Sequence, residues 1–123
     1  MIKGITILIV EAEADLMMIV ELWRNSSSAT AVLFRGKDCN HVVRMAGLSK
    51  PDVVIIDISF LNQFEIISIA EINKSLPDAK IVVIVDSNQT SSHITQSLGF
   101  IDHCLHKSSV STELPELLTK MIS

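Results

Sequence analysis

Five short aliphatic runs, each followed by a stretch with helical spacing, constrain this chain more than any other feature. They are Ile5 to Val10, Thr30 to Phe34, Val53 to Asp57, Ile81 to Val85, and a weaker run around His103 to Leu105. Unbroken Val and Ile, rather than alternating apolar and polar residues, is what a parallel strand covered on both faces requires. Between the runs the period changes. Leu16, Ile19, Val20 and Trp23 stand at i, i+3, i+4 and i+7 and make one apolar stripe, which Asn25 and Ser26 to Ser28 bring to an end. Asp38 can cap a helix that turns Val42, Val43 and Ala46 inward and stops at Gly47. The spacing predicts a further helix from about Phe64 to Leu76, burying Ile67, Ala70 and Phe64 and ended by Pro77. Ser91 and Ser92 can cap a short polar helix closed by Gly99. The last helix is predicted over Thr112 to Ile122, presenting Leu114, Leu117, Leu118 and Met121. That start puts Pro115 in the first turn, whose N–H groups have no intrahelical partner to lose.

One βα unit repeated five times accounts for this order, with no repeat, linker or low-complexity stretch to divide it. The predicted architecture is α/β: a doubly wound, five-stranded parallel sheet with flavodoxin-like order 2-1-3-4-5, in one domain over residues 1–123. At 48% hydrophobic the chain can fill such a core, and disorder is excluded; no apolar run approaches the ~18 residues of a membrane-spanning helix. A net charge of −4 with no cluster of Lys and Arg argues against nucleic-acid binding. Cys39 and Cys104 lie far apart without a CxxC, so neither a zinc ribbon nor a disulfide framework is signalled. No basic leader precedes the first strand, and the expected compartment is the cytoplasm.

In a sheet of this kind chemistry sits at the C-terminal ends of the strands. There the first run ends in Glu11, Ala12, Glu13; the third in Asp57; the fourth in Val85, Asp86, Ser87; and the fifth leads through His106 to Lys107. With strands one and three adjacent, Glu11 and Asp57 open into one crevice and Lys107 reaches in from strand five. Carboxylates held close repel unless a cation screens them, which calls for Mg²⁺ with oxygen ligands and retained waters. A lysine nearby can pair with a carboxylate or with an incoming phosphoryl oxygen. A carboxylate nucleophile accepting a phosphoryl group needs this layout.

Here the sequence resembles the receiver domains of bacterial two-component response regulators, over essentially its whole length. The resemblance rests on ILIVEAEADL at Ile7 to Leu16, PDVVIID at Pro51 to Asp57, AKIVVIV at Ala79 to Val85, and Lys107 after His103 to His106. It implies that Asp57 is the phospho-acceptor, that Glu11 is the first acid of a Mg²⁺ pocket shared with Asp57, and that Lys107 contacts the phosphoryl group. It also implies a sensor histidine kinase or histidine phosphotransfer protein as partner, and a homodimer or an output domain as the recipient of the signal. The run LHKSSVSTEL is most similar to receivers attached to helix-turn-helix output domains, and no such domain accompanies it in these 123 residues.

The departures from the family pattern bear on mechanism. The second pocket acid is Ala12, leaving Glu13 as a substitute ligand one position further on. The strand-four hydroxyl that senses the phosphoryl group is Val85, with Asp86 next and Ser87 the nearest hydroxyl. The family's strand-five aromatic switch falls near His103 or Cys104, and the loop after Asp57 is about two residues short. Two readings stay open: a phosphorylation-switched receiver, and a degenerate pseudo-receiver acting as a phosphorylation-independent interaction or dimerisation module.

Other residues have plainer accounts. Glu13 and Asp15 suit the N-terminus of a helix, whose dipole favours acids. His103 and His106 are three apart on a strand and so point to opposite faces, which keeps them from sharing one ion. Cys104 reads as a small buried hydrophobe. Met17, Met18 and Leu22 widen the first helix's stripe, either as a broad core contact or as a docking or self-association face. Enzyme readings find no support: Gly4, Gly36, Gly47 and Gly99 form no phosphate-binding loop, and no nucleophile elbow is present.

Overall fold

A computed structural model describes residues 4–10, 15–27, 30–36, 44, 50–57, 63–85, 99 and 101–122. Its elements are β1 (Gly4–Val10), α1 (Asp15–Ser26), β2 (Thr30–Gly36), β3 (Val53–Asp57), α2 (Gln63–Ser75), β4 (Lys80–Val85), β5 (His103–His106) and α3 (Val110–Ile122). The five strands form one parallel sheet in the order β2-β1-β3-β4-β5, the predicted topology. The helices expected after the second and fourth runs fall outside the described residues, Arg44 and Gly99 apart.

Both faces of the sheet are covered, which is why its central strands read as unbroken Val and Ile. On one face Ile7, Ile9, Ile55, Val82 and Ile84 pack with Leu16, Val20 and Trp23 of α1 and Val110, Leu114 and Leu118 of α3. On the other Leu8, Val10, Val54, Ile56, Ile81, Val83 and Val85 pack with Ile69 and Ile72 of α2. Successive residues of a strand serve opposite faces, so each strand contributes to both cores. At roughly 1.5–3 kcal/mol for each fully buried aliphatic side chain, this double core dominates the favourable side of folding. β2 and β5 are the edges and show mixed exposure, which accounts for the weaker run at His103 to Leu105.

The predicted boundaries shift in informative ways. α2 turns Ile69 and Ile72 fully inward and leaves Ala70 half-buried; the side chains of Phe64 and Ile67 lie outside the described set. α3 starts two residues earlier than expected, with the Ser109 carbonyl accepting from the N–H groups of Thr112 and Glu113. Pro115 therefore stands in the second turn, not the first, and its ring nitrogen cannot donate to the carbonyl of Ser111. Further along, Thr119 Oγ1 donates to the Pro115 carbonyl at 2.9 Å and accepts from Trp23 Nε1 at 3.1 Å, joining α3 to α1. Of the residues that widened the first helix's stripe, Met17 packs against the core, whereas Met18 and Leu22 are 56% and 65% exposed. The broad core contact is thus confined to Met17.

Two aspartates repeat one device at the N-terminal rim of the sheet. Asp52 Oδ2 accepts from the Thr6 N–H while the Asp52 N–H donates to the Thr6 carbonyl, both at 2.8 Å, binding β1 to the start of β3. Asp102 Oδ2 accepts from the Ile81 N–H at 2.8 Å while its own N–H donates to the Ile81 carbonyl at 2.9 Å, binding β4 to the start of β5. Each closes a ladder where the partner strand has not yet begun.

Candidate functional site

Asp57 is the last residue of β3 and pairs with Ile84 of β4. By alternation from Val53 and Ile55 it faces the side of the sheet covered by α1 and α3. It is 5% exposed, and among the described residues no other charged residue is buried. A buried carboxylate requires a compensating charge or hydrogen bonds. Lys107 supplies one, with Nζ 3.6 Å from Asp57 Oδ2. Lys107 is fixed from behind: its N–H donates to the Val85 carbonyl at 2.8 Å, and a tight turn follows in which the Ser109 N–H donates to the His106 carbonyl at 3.0 Å. The end of β4 thus places the lysine opposite the end of β3.

A cavity of about 220 Å³ opens between these groups. Asp15, Leu16 and Ile19 of α1 form one wall, Val110 and Ser111 of α3 another, and Asp57, Ile84 and Lys107 complete it. Two carboxylates and one ammonium make the ring of charges negative by one, which favours a further cation. Asp15 and Asp57 are oxygen donors of the kind Mg²⁺ takes, and the open mouth leaves room for the waters that ion retains. The donor type therefore fits, although among the described residues no group of three or more His, Cys, Asp and Glu gathers to hold a metal.

The structure brings Asp57 and Lys107 together as the strand order predicts. Glu11, Glu13 and Ser87 lie outside the described residues. Val85 is fully buried and belongs to the core on the far face, so its side chain is both apolar and turned away from the cavity. His103 opens β5 beside Val82, exposed, at the opposite end of the strand from Lys107, and it does not line the cavity. Cys104 and Leu105 divide between the two cores, which puts His103 and His106 on opposite faces. Burial pushes the Cys104 thiol above its ordinary pKa.

Two polar cavity residues, Asp15 and Ser111, are not marked out by the sequence pattern. Asp15 suits the helix dipole as the first residue of α1, and it also lines the cavity. Ser111 was hidden by the late start assigned to the last helix. Its position four residues after Lys107, on a helix beginning at Val110, is the signal that would have found it.

No protein-family profile matches this chain, and no curated protein sequence does. Solved structures do. A response regulator from Thermotoga maritima superposes with a TM-score of 0.77 at 18% identity, covering 97% of this chain and 98% of its own. The RcsB response regulator of Salmonella typhimurium gives a TM-score of 0.76 at 18% identity over 98% of this chain, which spans 60% of the RcsB chain. This chain has the receiver-domain fold. The pilus assembly protein CpaE of Caulobacter crescentus is similar to it as well, with a TM-score of 0.74 at 15% identity over 99% of this chain and 96% of its own. At such identities the likeness is one of receiver fold alone, and the chemistry rests on the side chains at the strand ends. Among the described residues of this receiver fold, no helix is long and apolar enough to cross a membrane.

Proposed function

We propose that the chain is a cytoplasmic signal-transduction receiver module that accepts a phosphoryl group on Asp57 from a histidine kinase or histidine phosphotransfer protein. The observation that carries this reading is the buried Asp57 carboxylate, 3.6 Å from Lys107 Nζ, at the rim of a cavity on the C-terminal edge of a receiver fold. A carboxylate oxygen of Asp57 attacks the donor's phosphorus. The new O–P bond forms as the P–N bond of the phosphohistidine breaks, and the imidazole leaves with a proton from water. Lys107 offsets the charge on the transferred oxygens, and its separation from Asp57 exceeds that of a tight charged hydrogen bond, so it can turn toward an incoming group. Asp57 and Asp15 are the described residues that would hold Mg²⁺, which supplies further neutralisation of those oxygens when bound. The acceptor acts once per signal and is regenerated by hydrolysis, a switch rather than a catalyst of substrate turnover. The partner surface is the outside of the helices, presented to a second copy or to an output domain.

The test is intact-mass measurement after incubation with phosphoramidate or acetyl phosphate and Mg²⁺. Wild type gains one phosphoryl group and Asp57→Asn gains none. An unmodified wild-type mass would overturn the phosphorylation reading in favour of the pseudo-receiver that Ala12 and Val85 describe, an interaction module indifferent to Asp57→Asn.

A further inference from the structure

In receivers of the usual pattern a hydroxyl at the end of strand four reads the phosphoryl group; here that position is Val85, apolar and fully buried in the core with Ile69 and Ile72. The β4 residue that does face the cavity is Ile84, which has no donor either. Among the described residues lining the cavity, Ser111 is the one that carries a hydroxyl. Resting on the receiver reading above, we propose that Ser111 reads the phosphoryl group on Asp57 and passes the signal through the first turn of α3 to the seam between α3 and α1.

Three observations support this route. Ser111 is exposed at the cavity mouth, so its hydroxyl can rotate toward a new acceptor without repacking a core. A phosphoryl group brings three strong acceptor oxygens to Asp57, and a donor that reaches them in only one arrangement of the turn favours that arrangement. The carbonyl of Ser111 also lacks its i+4 helical donor, because Pro115 has no N–H, so a shift of Ser111 breaks no bond to that residue. The residue that faces the cavity and the residue whose helical hydrogen bond is missing are the same one. Beyond the proline, Thr119 Oγ1 ties the Pro115 carbonyl to the indole of Trp23, so a displacement of the first turn is delivered to α1 at a defined point. The usual route runs through β4 and β5; this one runs through the two helices on the opposite side of the cavity.

Trp23 is the only tryptophan in the sequence and lies in the seam, which makes its emission the natural readout. Wild type, Ser111→Ala, Ser111→Thr and Ser87→Ala are each incubated with phosphoramidate and Mg²⁺, with intact mass and Trp23 fluorescence recorded on the same samples. Phosphorylation is expected to change Trp23 emission in wild type, Ser111→Thr and Ser87→Ala, and to leave it unchanged in Ser111→Ala although that variant still gains the phosphoryl group. Before phosphorylation all four should share one emission spectrum and one circular dichroism spectrum, which separates signal transmission from folding. A wild-type emission response in phosphorylated Ser111→Ala would overturn the proposal, as would phosphorylated wild type with an unchanged Trp23. Loss of the response in Ser87→Ala with Ser111→Ala intact would assign the role to Ser87. A wild type that gains no phosphoryl group defeats the receiver reading itself, an outcome the mass measurement distinguishes from the others.

Discussion

Lys107 is held at two points by neighbouring strand ends: its backbone N–H donates to the Val85 carbonyl at 2.8 Å, and its Nζ stands 3.6 Å from Asp57 Oδ2. The first contact orients the second. Asp57 is almost wholly buried while Lys107 is 40% exposed, so the lysine brings solvation and charge to a carboxylate that water barely reaches.

Removing the lysine should therefore cost more than an exposed ion pair is worth. Lys107→Ala is expected to lower stability by about 1–3 kcal/mol, because it removes a counter-charge from a buried carboxylate. In an Asp57→Asn background the same change should cost less than about 0.5 kcal/mol, the ordinary cost of a surface substitution. Urea unfolding of the four proteins of the cycle measures the coupling, and additive losses would show that the pair does not interact.

Placing at strand four the hydroxyl usual in receivers should not raise phosphorylation. Val85→Thr places a hydroxyl in the apolar core formed with Ile69 and Ile72. The expected result is a loss of about 1–3 kcal/mol with no gain in phosphorylation level. Stability by urea unfolding and phosphoryl content by intact mass check the two halves; a stable variant with enhanced phosphorylation would contradict both.

Asp102 should be worth more to the fold than its ion pair with Lys80 implies. That pair is 3.8 Å long and exposed, and its contribution is small. The hydrogen bond from the Ile81 N–H is partly buried. Asp102→Ala is expected to destabilise by about 1–2 kcal/mol and Asp102→Asn by clearly less, since the amide oxygen still accepts. Equal losses for the two would locate the effect in the charge instead.

The Cys104 thiol gives a pH signature. Its pKa is raised by burial, so the folded state holds the proton where the unfolded chain has begun to release it. The associated stability is complete below the ordinary thiol pKa and is lost as pH climbs through the raised one. Iodoacetamide at mildly alkaline pH should label Cys104 more slowly in the native protein than in urea, read from the Cys104 peptide so that Cys39 does not interfere. Equal rates would refute the shift.

Much of the fold was legible because β1, β3 and β4 are buried on both faces and can be built only from aliphatic residues. The weaker fifth run is an edge strand, β5, which answers to one neighbour and to solvent. The start of the last helix is misjudged when Pro115 is given the position where it costs least; it stands two residues deeper, at the expense of the Ser111 bond. Met18 and Leu22 show a limit of periodicity: spacing gives the direction of a stripe, but its width depends on how far the neighbouring helix extends. At the site, Asp57 and Lys107 follow from strand order alone. Asp15 and Ser111 do not, because their place at the cavity depends on α1 and α3 lying side by side over the same face of the sheet.

The paired hydrogen bonds of Asp52 and Asp102 sit at the rim opposite the cavity. The sheet is thus fastened at one pole and carries the proposed site at the other, so the rim bonds and the Asp57–Lys107 pair fall on different residues. A substitution at the proposed site that touches neither core, unlike one at Val85, therefore leaves the architecture intact. On the proposed reading, folding and signalling are separately heritable wherever a site residue lies outside the two cores.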